Sequence, residues 1–177
     1  ERRMQLLTEW ADTKAFELGI NKFEYNDTKI GIVCAGTCYT YAREAFKDNA
    51  SYLKVGIVNP LPKQAIIDFS KKVDKVYVIE ELDNIIETHC IKLGIKVLGK
   101  NLFENYYQSL GITPFEGELN QDIIRKAFLN EHSPSVKFPK AIPNRPPVLC
   151  SGCPHRGLFY ALKKFNLYVS GDIGCYT

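Results

Sequence analysis

Near one end of the 177-residue sequence stands Cys150-Ser-Gly-Cys153-Pro-His155-Arg156-Gly157. Two residues between two thiols let both sulfurs face one centre from a tight turn, and Gly152 gives that turn its backbone freedom. Pro154 suits the first position of a helix, where its missing amide is no loss. Cys153 then stands beside the positive end of a helix, a place that favours a metal-ligating or redox thiol. Alone, the spacing fits half of a zinc site, a dithiol redox pair, two of the four ligands of an iron–sulfur cluster, or packing thiols. Cys175 adds a third sulfur. It follows Gly171-Asp172-Ile173-Gly174 on the turn after a predicted strand, the edge at which open α/β sheets bind ligands. No cysteine follows it. His155 reads either as a surface or capping residue or, with Arg156 and the free amides of a helix start, as part of an anion site that would take a diphosphate.

Two other groupings carry a plainer reading. Glu80-Glu81 ends a predicted strand and has the make-up of a paired-carboxylate acid/base site, but the expectation is a solvated or interface role. Cys34 and Cys38 straddle a strand-to-helix turn and are expected as small buried hydrophobes.

The elements that position these residues alternate. Residues 29–36 are an apolar run ending in glycine, and Thr37 is placed to cap a helix through Phe46. A β-branched run at 53–58, stopped by Pro60 and Pro62, precedes a helix over 63–72. A strand at 75–79, a helix over 83–93 ended by Gly94, and a short strand at 95–98 follow. Such alternation predicts an α/β fold with a largely parallel sheet and helices on both faces. A helical segment over 2–18 precedes it, with Leu6, Leu7, Trp10 and Phe16 offering an apolar stripe that has little of its own to pack on. Five of the nine prolines fall between Pro134 and Pro147, which reads as a semi-rigid connector. Beyond it the sequence predicts a loop, a helix from Pro154 to about Phe165 and a strand at 167–170. The expected organisation is a helical linker over 1–27, an α/β domain over 28–132, the connector over 133–148, and the start of a second α/β domain over 149–177. A chain opening on a linker and stopping after a Gly-Asp-Ile-Gly-Cys turn reads as a piece of a longer protein.

Composition narrows the class. With 45% hydrophobic and 24% charged residues the chain is an ordinary globular sequence, long enough to bury about 70% of its unfolded surface. It needs no disulfide framework, although the cysteine count is even. The 23 basic and 20 acidic residues are well mixed, which argues against a nucleic-acid-binding face. No apolar run approaches the ~18 residues of a membrane span. A cytoplasmic location is expected.

The strings Arg-Pro-Pro-Val-Leu-Cys-Ser-Gly-Cys-Pro-His-Arg-Gly and Ser-Gly-Asp-Ile-Gly-Cys-Tyr-Thr resemble the opening of the thiamine-diphosphate-binding domain of 2-oxoacid:ferredoxin oxidoreductases, in the α subunit of the indolepyruvate (arylpyruvate) type. Upstream, Lys-Ile-Gly-Ile-Val-Cys-Ala-Gly, Val-Gly-Ile-Val-Asn-Pro-Leu-Pro and Val-Tyr-Val-Ile-Glu-Glu-Leu-Asp are similar to that subunit's transketolase-C-terminal-like domain, so the resemblance covers residues 28–177. It implies that Cys150, Cys153 and Cys175 hold a [4Fe-4S] cluster close to thiamine diphosphate, with a fourth cysteine later in the domain. It further implies that His155 and Arg156, with the turn residues Asp172, Ile173 and Gly174, bind the Mg2+-dependent cofactor. Pro154 stands where the pyruvate and oxoglutarate relatives usually have glycine.

The activity implied is oxidative decarboxylation of an arylpyruvate to acyl-coenzyme A, with electrons passing through iron–sulfur clusters to ferredoxin and a β subunit as partner. The pyrimidine-binding domain, the magnesium-binding Gly-Asp-Gly segment and the ferredoxin-like domain of that family have no counterpart in these residues, so the chain alone is expected to be inactive. Two alternatives stay open: a non-redox thiamine-dependent transketolase or decarboxylase relative, and an α/β interaction domain with a zinc-binding tail.

Overall fold

The structure, a computed structural model, describes residues 2–100, 113–114, 116–131 and 149–171. The chain divides into two compact units, Glu1–Pro134 and Ser135–Thr177.

The first unit is built around β2 (Ile30–Ala35), whose sequence Ile-Gly-Ile-Val-Cys-Ala is apolar throughout because both of its faces are covered. β3 (Ser51–Val55) runs parallel to it with Gly31 opposite Ser51, and β4 (Lys75–Ile79) runs parallel on the other side with Ile30 opposite Lys75. β5 (Val97–Leu98) extends the sheet in parallel beyond β4. β1 (Lys22–Glu24) closes the opposite side antiparallel to β3, giving the order β1-β3-β2-β4-β5.

Because side chains alternate along a strand, each strand feeds two cores. Ile32, Cys34, Tyr52 and Ile79 pack with Phe46 of α3 (Thr37–Phe46) and Ile124 of α6 (Gln121–Ile124). Val33, Leu53, Val55 and Val78 pack with Ile66 and Phe69 of α4 (Lys63–Ser70) and Ile86 and Cys90 of α5 (Ile85–Lys92). Phe46 and Phe69 are almost wholly buried, each worth about 1.5–3 kcal/mol of transfer free energy. In α3 the buried positions Cys38, Ala42, Ala45 and Phe46 recur at helical spacing. α5 ends where Gly94 takes φ +76°.

The main departure from the sequence reading lies at the start. The segment read as a linker breaks into α1 (Arg2–Asp12) and α2 (Lys14–Glu17), then supplies the edge strand β1. Leu6 and Leu7 stay exposed, while the small Ala11 and Ala15 are fully buried. Polar groups do the anchoring. Asp12 caps α4, accepting from the amides of Gln64 at 3.1 Å and Ala65 at 2.9 Å. Asn21, 1% exposed, donates to the Ala11 carbonyl at 2.9 Å and accepts from the amides of Gly56 and Ile57 at 2.8 and 3.2 Å. The approach is close: a Cβ on Gly56 would lie 2.4 Å from the Ile20 carbonyl oxygen. The strand expected at 53–58 therefore spans Ser51–Val55 and gives way to this bracket.

In the second unit the described residues form one helix, α7 (His155–Lys164). Residues 167–170, expected as a strand, are in no regular element, and none of Leu167, Tyr168 and Val169 is buried.

Candidate functional site

The Cys150–Cys153 motif folds as a hydrogen-bonded turn leading into α7. The Cys153 amide donates to the Cys150 carbonyl at 3.1 Å, and the Arg156 amide to the Cys153 carbonyl at 3.1 Å. Gly152 takes φ +75°, which a side chain would strain. Pro154, at φ −64°, stands immediately before the helix, one position ahead of the expected one. The Arg156 guanidinium donates to the Cys150 carbonyl at 3.3 Å, tying the second basic residue of the motif to its first cysteine. The rings of His155 and Phe159 stack at 6.0 Å on one helix face. Cys150 is exposed and Cys153 half-buried, and both thiols are free.

Four of the expected site residues are thus placed on one short turn and helix start: Cys150, Cys153, His155 and Arg156. The other four, Asp172, Ile173, Gly174 and Cys175, lie outside the described residues. Among the described residues no group of three His, Cys, Asp or Glu side chains is arranged to hold a metal. The donor set itself suits a thiophilic centre: two accessible sulfurs on a glycine turn, followed by the amide end of a ten-residue helix.

A second concentration of polar chemistry lies at the carboxyl end of the sheet, in the first unit. Glu80 follows β4 and is only 8% exposed. Its Oε2 accepts from the Ile86 amide at 2.8 Å and its Oε1 from the Glu87 amide at 2.9 Å, so it caps α5 from outside the helix. Glu87 is buried in turn, and its carboxylate accepts from the Lys100 amide at 2.8 Å. Glu81 accepts from the Leu119 amide at 2.7 Å, and the Lys100 ammonium donates to the Pro114 carbonyl. The solvated or interface role expected of Glu80-Glu81 is therefore corrected for Glu80, which is buried against the start of α5. The connection of residues 81–84, with Leu82 at φ +55°, folds α5 back over Glu80 and delivers two amides to it.

Burial pushes the Glu80 carboxyl above its ordinary value, against the two amide bonds that stabilise its charge. The same burial lowers the Lys100 ammonium, opposed by Glu80. Cys34 and Cys38 are buried as expected, and desolvation holds both thiols protonated. Cys90 is pushed up to about 12, again by burial first and Glu80 second. Sequence reasoning passed over Glu87 and Lys100. The one local signal is Gly99, where an added Cβ would sit 3.1 Å from the Glu87 carboxyl carbon.

No family model matches the sequence. Among curated proteins it is similar to the indolepyruvate oxidoreductase subunit IorA of Archaeoglobus fulgidus, 32% identical over 89% of this chain and 27% of that protein. The subunit of the same name from Methanothermobacter marburgensis is 28% identical over 99% of this chain and 30% of its own length. That of Methanothermobacter thermautotrophicus is 33% identical over 86% of this chain and 27% of its length. The chain spans between a quarter and a third of the curated relatives it matches.

Proposed function

We propose, from the premise that this chain is homologous along most of its length to part of indolepyruvate oxidoreductase subunit IorA, that it is the portion of an arylpyruvate-oxidising enzyme that carries an iron–sulfur centre and receives a cofactor diphosphate. The observation supporting this is the turn at Cys150–Cys153, which presents two free thiols next to the amide end of α7 with His155 and Arg156.

Cys150, Cys153 and Cys175 are the proposed ligands of a [4Fe-4S] cluster, which needs a fourth thiolate to be complete. His155 and Arg156, with Asp172, Ile173 and Gly174, are the proposed contacts of thiamine diphosphate and its Mg2+. When bound, thiamine diphosphate supplies the electron sink for losing carbon dioxide from a 2-oxoacid. The chain's own residues bind and orient. The amides at the start of α7 are directed at an anion, and the dipole of its ten residues favours negative charge there. Arg156, fixed through the Cys150 carbonyl, keeps the basic group and the first cysteine in register. The rest of the reading follows the family: indolepyruvate as substrate, coenzyme A as acyl acceptor, ferredoxin as electron acceptor and a β subunit as partner. Among the described residues no helix is long and apolar enough to cross a membrane.

The test is an assay of the enzyme containing this chain, together with its partner subunit, using indolepyruvate, coenzyme A, thiamine diphosphate and a viologen dye. Dye reduction that requires coenzyme A and is lost with iron in Cys153→Ala supports the reading. Stoichiometric zinc with no response to thiamine diphosphate refutes it.

A further inference from the structure

An open cleft of about 540 Å³ lies on the α4–α5 side of the sheet in the first unit, lined by Thr8 of α1, the connection after β3 at Val58–Leu61, Lys63 and one stripe of α5. The stripe is Ile85, Thr88, His89 and Lys92, spaced i, i+3, i+4 and i+7, so the four share a helix face. The lining contains two ammonium groups and no carboxylate. Among the described residues neither Lys63 nor Lys92 has an acidic side chain within salt-bridge distance.

Two neutral donors in the same lining are also without partners. Asn84 holds the position before α5, where an amide side chain ordinarily caps the helix. Here Glu80 has taken the Ile86 and Glu87 amides, so the Asn84 side chain has no capping role, and its Nδ2 is buried without an acceptor. The His89 Nε2 is in the same condition. Leaving such groups unmet costs about 1–3 kcal/mol each, and a native structure sustains that where a ligand or water completes them. Charge converges there too. Burial, then Lys92 of its own helix and Lys63 from α4, hold His89 below its ordinary range, while Asp12 alone acts the other way. Asp12 is occupied by the α4 amides.

We propose that this cleft binds a small organic anion, a carboxylate or phosphoryl group on an apolar body, with Lys63 and Lys92 holding the charge, Asn84 and His89 supplying neutral hydrogen bonds, and Val58, Leu61 and Ile85 forming the apolar wall. The proposal rests on residues of the first unit alone and does not depend on the redox reading.

The experiment follows the His89 imidazole by NMR in the 177-residue chain, its resonance assigned by its loss in His89→Gln. Probes are phenylacetate, phenyl phosphate, inorganic phosphate and benzyl alcohol. Saturable movement of the His89 resonance below about 10 mM of either aryl anion is expected. Lys63→Gln and Lys92→Gln, at exposed positions that leave the melting curve unchanged, should each weaken binding about threefold or more. Tighter phenylacetate identifies a carboxylate ligand, and tighter phenyl phosphate a phosphoryl one. The proposal is overturned if no probe moves His89, if inorganic phosphate or benzyl alcohol binds as well as the aryl anions, or if the double lysine variant binds like the parent.

Discussion

Glu80 and Glu87 form a relay of buried carboxylates. The Glu87 amide donates to Glu80 at 2.9 Å, while the Glu87 carboxylate accepts from the Lys100 amide at 2.8 Å, so one link fixes the start of α5 and the next fixes the chain beyond β5. Nearly no water reaches either side chain. The order of the sheet's carboxyl end therefore depends on acidic groups, and it responds to mutation and to pH.

Glu80→Ala should lower unfolding stability by about 2–4 kcal/mol, since it orphans two buried amides. Urea melts check this. Glu80→Gln keeps the shape but replaces one acceptor oxygen with a donor, and a loss of about 1–3 kcal/mol is expected.

The pH dependence that Glu80 contributes has a definite sign. Burial raises the folded Glu80 above its ordinary 4.5, so between 4.5 and the folded value the native chain keeps a proton that the unfolded chain has released. The group's contribution to stability is then fully present below 4.5 and falls as pH rises through the folded value. Subtracting melts of Glu80→Gln from those of the parent across pH 4.5 to 7 should expose this slope, and a flat difference would contradict it.

Asn21→Ala should cost about 2–4 kcal/mol, since three hydrogen bonds joining α1 to the end of β3 are lost together. Hydrogen exchange at Gly56 and Ile57 should accelerate more than exchange in β2. Equal acceleration would mean the bracket is not local.

Thiol reactivity should separate the cysteines. Cys34, Cys38 and Cys90 are buried and held protonated, whereas Cys150 is exposed and Cys153 half-buried. Brief alkylation of the native chain, read by mass spectrometry, should label Cys150 and Cys153 before Cys34, Cys38 and Cys90.

In the complete enzyme, His155→Ala should weaken thiamine diphosphate by about 1–3 kcal/mol if a charge-assisted hydrogen bond to the diphosphate is lost. A fluorescence titration measures it, and unchanged affinity would remove His155 from the cofactor contacts.

The three strand-to-helix steps are legible in the sequence because each carries a local physical marker. β2 is an apolar run stopped at Gly36, Pro60 and Pro62 separate β3 from α4, and Gly94 ends α5. The turn at Cys150–Cys153 is legible for the same reason, through Gly152 and Pro154. β1 is not. Lys-Phe-Glu has no period to detect, and it becomes a strand only because β3 offers it an open edge. The role of Glu80 is hidden for a related reason. Whether a carboxylate faces water or two amides is decided by the path of the chain after it, and Leu82 at φ +55° is not a residue from which that reversal is read.

The short antiparallel strand at the sheet's edge also bears on how the molecule behaves in a crowded solution. Without Lys22–Glu24, the outer side of β3 would present unpaired backbone groups along Ser-Tyr-Leu-Lys-Val, a segment rich in strand-forming residues and therefore a template on which other chains could add. Three residues with a charge at each end of the strand occupy that template and are too short to offer a good one themselves. The helices α1 and α2, held by Asn21 and Asp12, keep them there. The amino-terminal segment thus covers an edge on which another chain could add, and loosening it would expose that edge.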